Sequence, residues 1–168
     1  MQIPEPLRAQ MRTVAAVVFD VDGVFTDGGL YLSDDGRESK RFDAKDGLGV
    51  QRLLQGGVRV AIISGRSSPA VASRMGALGV EPIHLGVGDK GPVFTDVANA
   101  LGLPEAACAA VGDDLPDLDM FARAGLAIAV ADAVEEVRAA AHWVTAKGGG
   151  RGAVREVADA VLSARAVD

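Results

Sequence analysis

Val14-Ala15-Ala16-Val17-Val18-Phe19-Asp20-Val21-Asp22-Gly23-Val24 is the stretch on which the fold turns. Its apolar half, rich in valine, reads as a strand buried on both faces, and the acids and glycine mark where that strand meets solvent. Side chains two apart on an extended chain point the same way, so Asp20 and Asp22 converge at the mouth of the fold. Convergent carboxylates repel each other unless a cation lies between them or a proton is shared. A hard cation that takes oxygen ligands, magnesium above all, suits the pair. Read alone, the stretch is equally a polar turn after a strand, so the decision rests on the rest of the chain.

From residue 46 onward, helix and strand signals alternate. Residues 46–55 read as a helix closed by Gly56-Gly57, because glycine accepts the left-handed cap conformation. Residues 58–63 form a second buried strand that delivers Ser64, Gly65 and Arg66. Ser67 or Ser68 caps a helix with Pro69 in its first turn, ending at Gly79. A short strand at 83–85 follows, then a helix from the Asp89 cap to about residue 101. A strand at 107–111 ends in Gly112-Asp113-Asp114. Beyond it come a helix over 115–124, a strand over 126–130, a helix over 134–140, a last strand at Trp143-Val144 and a terminal helix. This alternation specifies an α/β fold: a three-layer, doubly wound parallel sheet of Rossmann type, in one domain across residues 1–168. Two segments stand apart. Residues 1–12 read as a short leader with one helical turn. Residues 28–42 read as a β-hairpin around Asp34-Asp35-Gly36, its polar second arm standing off the sheet as a lid or a subunit contact.

Composition narrows the function. The chain has 168 residues, 49% of them apolar and only 4% aromatic, enough for one core built of small aliphatic side chains. A net charge of −6 with no basic block argues against nucleic-acid backbones as the main partner. Cys108 is the only cysteine, which favours a reducing compartment. Without a signal-like N-terminus or a long apolar run, the expectation is a cytoplasmic protein with no membrane or nucleic-acid partner.

In doubly wound sheets, ligands bind outside the carboxyl ends of the strands. There the sequence places Asp20 and Asp22, Ser64 and Arg66, Lys90, and Asp113 with Asp114. The plain reading of Asp113-Asp114-Leu115-Pro116-Asp117 is a helix cap with first-turn charge, which accounts for Asp114. It leaves Asp113 free to face Asp20 as a second metal ligand. Lys90 near a helix start opposes the dipole, so a partner anion is needed to explain it. Ser64 and Gly65, on a sharp turn, offer a hydroxyl and backbone N–H groups to an anion. These parts suit phosphate-monoester hydrolysis, which is very slow without catalysis. Asp20 attacks phosphorus, Asp22 protonates the leaving alkoxide and then activates water, and magnesium held by Asp20 and Asp113 stabilises the equatorial oxygens. Other groups have bland readings. His84 and His142 lack metal-ligand spacing, Cys108 is a small core residue, and residues 148–152 form a flexible glycine connection in which Arg151 alone invites testing.

Asp20-Val-Asp-Gly-Val-Phe-Thr26, Ile62-Ile-Ser-Gly-Arg66, Lys90 and Gly112-Asp-Asp-Leu-Pro-Asp117 match, in order, the four motifs of haloacid dehalogenase superfamily phosphatases. Phe42-Asp-Ala-Lys-Asp-Gly-Leu-Gly49, Arg74 and Gly149-Gly-Arg-Gly-Ala-Val-Arg-Glu-Val157 extend the resemblance to the capless phosphatases of 3-deoxy-D-manno-octulosonate 8-phosphate, which serve lipopolysaccharide sugar synthesis. The resemblance covers nearly the whole chain from about residue 13. It implies magnesium on Asp20, the Asp22 backbone carbonyl and Asp113, with Asp114 and Asp117 supporting them from behind. It implies contacts to a small acidic sugar phosphate from Asp22, from Asp43, Ala44, Lys45, Asp46 and Gly47, and from Arg66, Arg74 and Lys90. It also implies a homotetramer without a cap domain, in which hairpins pair and a neighbour's segment covers each site. One departure is Gln51, where that family usually has arginine, so a phosphatase of nine-carbon keto-acid phosphates is the alternative substrate reading. Two readings of other classes are a receiver-like module that only accepts phosphate on an acid, and a catalytically silent partner that keeps the fold for assembly. Asp22, placed to supply a general acid, argues against the receiver; the complete motif set argues against the silent partner.

Overall fold

The computed structural model describes residues 3–166. Strand β1 (Ala16–Phe19) lies at the centre of a six-stranded sheet, buried at every position. It pairs in parallel with β4 (Arg59–Ile63) on one side and β6 (Cys108–Gly112) on the other. β5 (Ile83–His84) extends the sheet beyond β4; β7 (Leu126–Ala129) and β8 (Trp143–Val144) extend it beyond β6, all in parallel. The order β5-β4-β1-β6-β7-β8 makes β1 the point where the winding reverses, so a crevice opens at its carboxyl end. The switch point is therefore where the decisive stretch places Asp20.

Helices cover both faces. On one, α1 (Glu5–Thr13), α2 (Ala44–Gln55) and α7 (Ala153–Arg165) pack together. On the other, α4 (Lys90–Ala100), α5 (Leu118–Phe121) and α6 (Glu135–Ala140) do so, while α3 (Pro69–Ala77) links β4 to β5. Val154, Val157, Ala158, Val161 and Ala164 give α7 a buried stripe at helical spacing. The buried apolar residues form one cluster, in which Phe19 and Phe25 meet edge-on with centroids 5.3 Å apart.

Three expectations need correction. In the segment expected as a short leader with one helical turn, the described residues hold more: α1 is a nine-residue helix whose Met11 is fully buried and which packs on α7. The helix expected over 115–124 is a 3-10 turn at Leu115–Asp117 followed by only four α-helical residues. Its first turn is tightened because Asp117 bends back to accept from the backbone N–H groups of Asp113 and Asp114. Helix α2 begins earlier than residue 46 because Asp43 caps it, accepting from Lys45 N at 2.8 Å. The projecting hairpin is present, with β2 (Tyr31–Leu32) and β3 (Glu38–Ser39) antiparallel in a sheet of their own.

Candidate active site

A cleft of about 290 Å³ opens at the carboxyl ends of β1, β4 and β6. Asp20, Asp22, Ser64, Gly65, Arg66, Lys90, Asp113, Asp114 and Asp117 all line it, together with Gly28 and Pro116. Three separate strand ends, each legible as a polar residue after an apolar run, thus meet in one place with Lys90 at the start of α4. A larger hollow of about 370 Å³, lined by Ile3, Arg8, Trp143 and residues of α7, lies away from these acids.

The centre is an acidic corner crossed by one lysine. Lys90, at 4% exposure, places Nζ 2.8 Å from Asp20 Oδ1 and 2.7 Å from Asp117 Oδ1. The other Asp117 oxygen accepts from Asp113 N at 2.9 Å and Asp114 N at 3.2 Å, while the Asp114 carboxylate caps the turn at Leu115 N. Asp117 is thereby fully engaged as a buried anchor, and the helix-cap reading holds for Asp114. Burial works against the Lys90 charge, yet Asp20 and Asp117 hold its ammonium above the ordinary range. Two of its three N–H donors are used, leaving one for a ligand in the cleft.

Asp20, Asp113 and Asp117 offer oxygens within 4.8 Å of one another. With both Asp117 oxygens engaged, Asp20 and Asp113 are left to hold a cation. Burial first, then the Asp117 charge, pushes the Asp20 carboxyl up to about 6. Burial, the charges of Asp20 and Asp117, and a hydrogen bond to Asp20 push Asp113 up to about 8. Two carboxylates that resist joint ionisation in a buried corner form the donor set for a hard divalent cation. Gly23 permits the approach: its φ is +87°, and a Cβ there would lie 1.9 Å from Asp113 Oδ2.

Asp22, on the loop beyond Asp20, is held from the hairpin. Lys40, with its side chain only 2% exposed, pairs with Asp22 Oδ1 and sits 2.8 Å from Glu38 Oε1. Arg66 pairs with Glu38 and lies 3.9 Å from Asp22 Oδ2. No motif in the sequence marks Lys40 or Glu38; the one signal is that they alternate on one face of an extended arm. Ser64 is buried, its N–H donating to His84 O at 2.9 Å and its Oγ accepting from Arg66 N at 3.4 Å.

Other expected contacts sit elsewhere in the chain. Asp46 is fully buried, and its carboxylate accepts from Gly152 N at 3.2 Å and Arg155 N at 2.9 Å, anchoring the start of α7. Asp43 caps α2, Ala44 and Lys45 are exposed, and the Arg74 guanidinium lies against Gly47. None of these lines the cleft. The expectation of a flexible glycine connection at 148–152 is overturned: Gly150 N donates to Val24 O at 3.0 Å, and a Cβ on Gly149 would lie 1.8 Å from Gly23 O. That loop buttresses the Asp20 motif, while Arg151 stays exposed. The bland readings hold for His142, whose Nδ1 accepts from Ala127 N, and for Cys108, whose thiol burial pushes up to about 11.

Comparison with known proteins bears on the family and the fold. A family model described as haloacid dehalogenase-like hydrolase matches residues 83–156. The 3-deoxy-D-manno-octulosonate 8-phosphate phosphatase of Escherichia coli is 39% identical over 157 residues, covering 94% of this chain and 84% of that protein. Among solved structures, the Moraxella catarrhalis enzyme of that name, in complex with magnesium ion, phosphate ion and a KDO molecule, aligns with a TM-score of 0.94 at 39% identity, over 97% of this chain and 94% of that one. The cobalt-bound form of the Haemophilus influenzae enzyme aligns with a TM-score of 0.91 at 38% identity, over 93% of this chain and 91% of that one.

Proposed function

The chain belongs to the haloacid dehalogenase-like hydrolases, in the family of 3-deoxy-D-manno-octulosonate 8-phosphate phosphatases, and on that premise we propose that it hydrolyses this sugar phosphate with magnesium. The observation that carries the proposal is the meeting of Asp20, Asp22, Ser64, Lys90 and Asp113 in one cleft. Asp20 and Asp113 would hold the metal, with the Asp22 backbone carbonyl. Magnesium supplies charge that lets both acids ionise and that stabilises the oxygens of the transferring phosphoryl group.

The chain's own residues account for the rest. Asp20 attacks phosphorus, forming a P–O bond to its carboxylate as the bond to the sugar oxygen breaks. Asp22 donates its proton to that departing oxygen. In the second step Asp22 takes a proton from the attacking water, and phosphate leaves Asp20. Lys90 orients Asp20 through one N–H and offers another to the phosphoryl oxygens, where Ser64 and the Gly65 backbone complete the cradle. Arg66, half-exposed at the mouth, meets the negative end of the sugar acid.

We further read the enzyme as a homotetramer of single, capless domains. Leu30, Tyr31 and Leu32 are exposed on the hairpin at 52%, 49% and 63%, which supports an association surface there. Asp43, Ala44, Lys45 and Arg74, lying outside this cleft, would then contact sugar bound in a neighbour. A lone cysteine supports action in the reducing cytoplasm in lipopolysaccharide sugar synthesis. Among the described residues, no helix is long and apolar enough to cross a membrane.

Phosphate release across a panel of sugar phosphates, with eight- and nine-carbon keto acids, tests the reading. The eight-carbon acid should give the highest kcat/KM. A preference for the nine-carbon acid would move the substrate to the alternative that exposed Gln51 leaves open. If simple hexose phosphates match both acids, the substrate assignment fails and the phosphatase assignment stands.

A further inference from the structure

We propose that Lys40 is a positioning residue for Asp22: it pins one oxygen of the Asp22 carboxylate so that the other is presented to the departing alcohol. This rests on the phosphatase reading above and adds a residue and an element, the β-hairpin, to its machinery.

Burial sets Lys40 apart from the rest of its hairpin. Lys40 stands on the arm leaving β3, in a hairpin whose other residues are largely exposed, yet its side chain is 2% exposed. Lysine loses much solvation when its ammonium is withdrawn from water, so such a position persists only where anions replace the water. Two do so: Asp22 Oδ1 and, at 2.8 Å, Glu38 Oε1. Burial opposes the Lys40 charge, and the hydrogen bonds to Asp22 and Glu38 more than offset it. The lysine therefore ties the hairpin to the motif loop through Asp22.

The consequence concerns the two Asp22 oxygens, which are no longer equivalent. Oδ1 faces the ammonium. Among the described residues, Oδ2 has only the Arg66 Nε, at 3.9 Å, beyond hydrogen-bond range. Asp22 lines the cleft and is 21% exposed, so Oδ2 is the oxygen open to a ligand. An acid that must deliver a proton to one oxygen of the substrate gains from a fixed rotamer, since misplacement by about 1 Å can cost about 10²-fold in rate. Glu38 completes the arrangement, holding Lys40 with one oxygen and Arg66 with the other. In the first step the Asp22 proton moves from Oδ2 to the leaving oxygen as the phosphorus–oxygen bond to the alcohol breaks and the bond from Asp20 forms. Lys40 takes no part in the exchange of bonds.

Leaving-group dependence tests this. The constant to measure is kcat/KM, which covers steps only to the departure of the alcohol, for an alkyl ester (the eight-carbon sugar acid phosphate) and for a nitrophenyl phosphate, whose leaving group departs without a proton. For Lys40→Met, kcat/KM should fall about 10²-fold on the alkyl ester and under about 3-fold on the nitrophenyl ester, by the usual size of general-acid contributions. Lys40→Arg, which restores a cation, should recover most of the alkyl activity. Equal losses on the two esters would overturn the proposal, because Lys40 would then only add charge or stability. If Lys40→Met does not fold, Glu38→Gln carries the same test: it loosens Lys40 and should reduce alkyl hydrolysis selectively, and equal losses again overturn the idea. An unaltered chain that releases no phosphate from either ester would refute the phosphatase reading itself, and the role of Lys40 would fall with it.

Discussion

Asp117→Asn changes one atom and should destabilise the acidic corner severely. Asp117 is 1% exposed and accepts at both oxygens, from Lys90 Nζ on one side and from the backbone N–H groups of Asp113 and Asp114 on the other. An asparagine has one acceptor oxygen and one NH₂. Whichever way its amide turns, that NH₂ faces donors: the ammonium in one orientation, the two backbone N–H groups in the other. Leaving a buried donor without its acceptor costs about 1–3 kcal/mol. Removing one partner of a buried ion pair costs about 3–5 kcal/mol. The second cost is reduced here because Asp20 still meets Lys90 at 2.8 Å. A total near 3 kcal/mol follows, and a domain of this size loses about 2–4 °C in Tm per kcal/mol, so the melting temperature should fall by about 6–12 °C. Calorimetry in chelator, where no bound cation masks the difference, reads this directly. A fall below about 2 °C would refute the anchoring role of Asp117.

Three further outcomes follow from the same geometry. Magnesium should stabilise the protein by about 2.7 kcal/mol at a hundred times its Kd. Its affinity should rise with pH between about 6 and about 8, because protons held by the raised Asp20 and Asp113 carboxyls must leave before both can ligate. Isothermal titration in buffers of different ionisation enthalpy measures the released proton, and an affinity flat across that range would contradict the shared-proton account. Asp46→Ala leaves two N–H groups at the start of α7 without their acceptor, and should lower stability by about 2–4 kcal/mol in denaturant titration; a change within 0.5 kcal/mol, the usual size for an ordinary surface site, would show that Asp46 is not the anchor of α7. Leu32→Glu places a charge in the most exposed apolar part of the hairpin, and should reduce the molar mass found by light scattering. An unchanged mass would remove the hairpin from the association surface.

What could be read in the sequence divides by the range of the interaction. Asp20, Ser64, Lys90 and Asp113 each follow an apolar run or a helix start, so local patterning found them. The doubly wound sheet then required strand ends separated in sequence to share a rim. The roles of Lys40 and Asp46 depend on contacts that no local pattern states. The family resemblance implies Asp46 as part of a substrate-binding segment, but its partners are backbone groups at the start of α7, far along the chain. Lys40 looked like one charge among several on a solvated arm, and only the return of the hairpin onto Asp22 buries it.

The glycines at 148–150 illustrate the same limit. Glycine is the natural residue of a loose linker and also of a place where backbones touch, and composition cannot separate the two. In this fold the second meaning holds, because Gly149 closes against Gly23, the same glycine whose open space admits Asp113. The acids of the opening stretch are thus braced from three sides: by the 148–152 loop behind the turn, by Asp117 beneath Lys90 and Asp113, and by the hairpin at Asp22. A site built from carboxylates that repel one another needs such bracing, since nothing within the acidic stretch itself would hold them together.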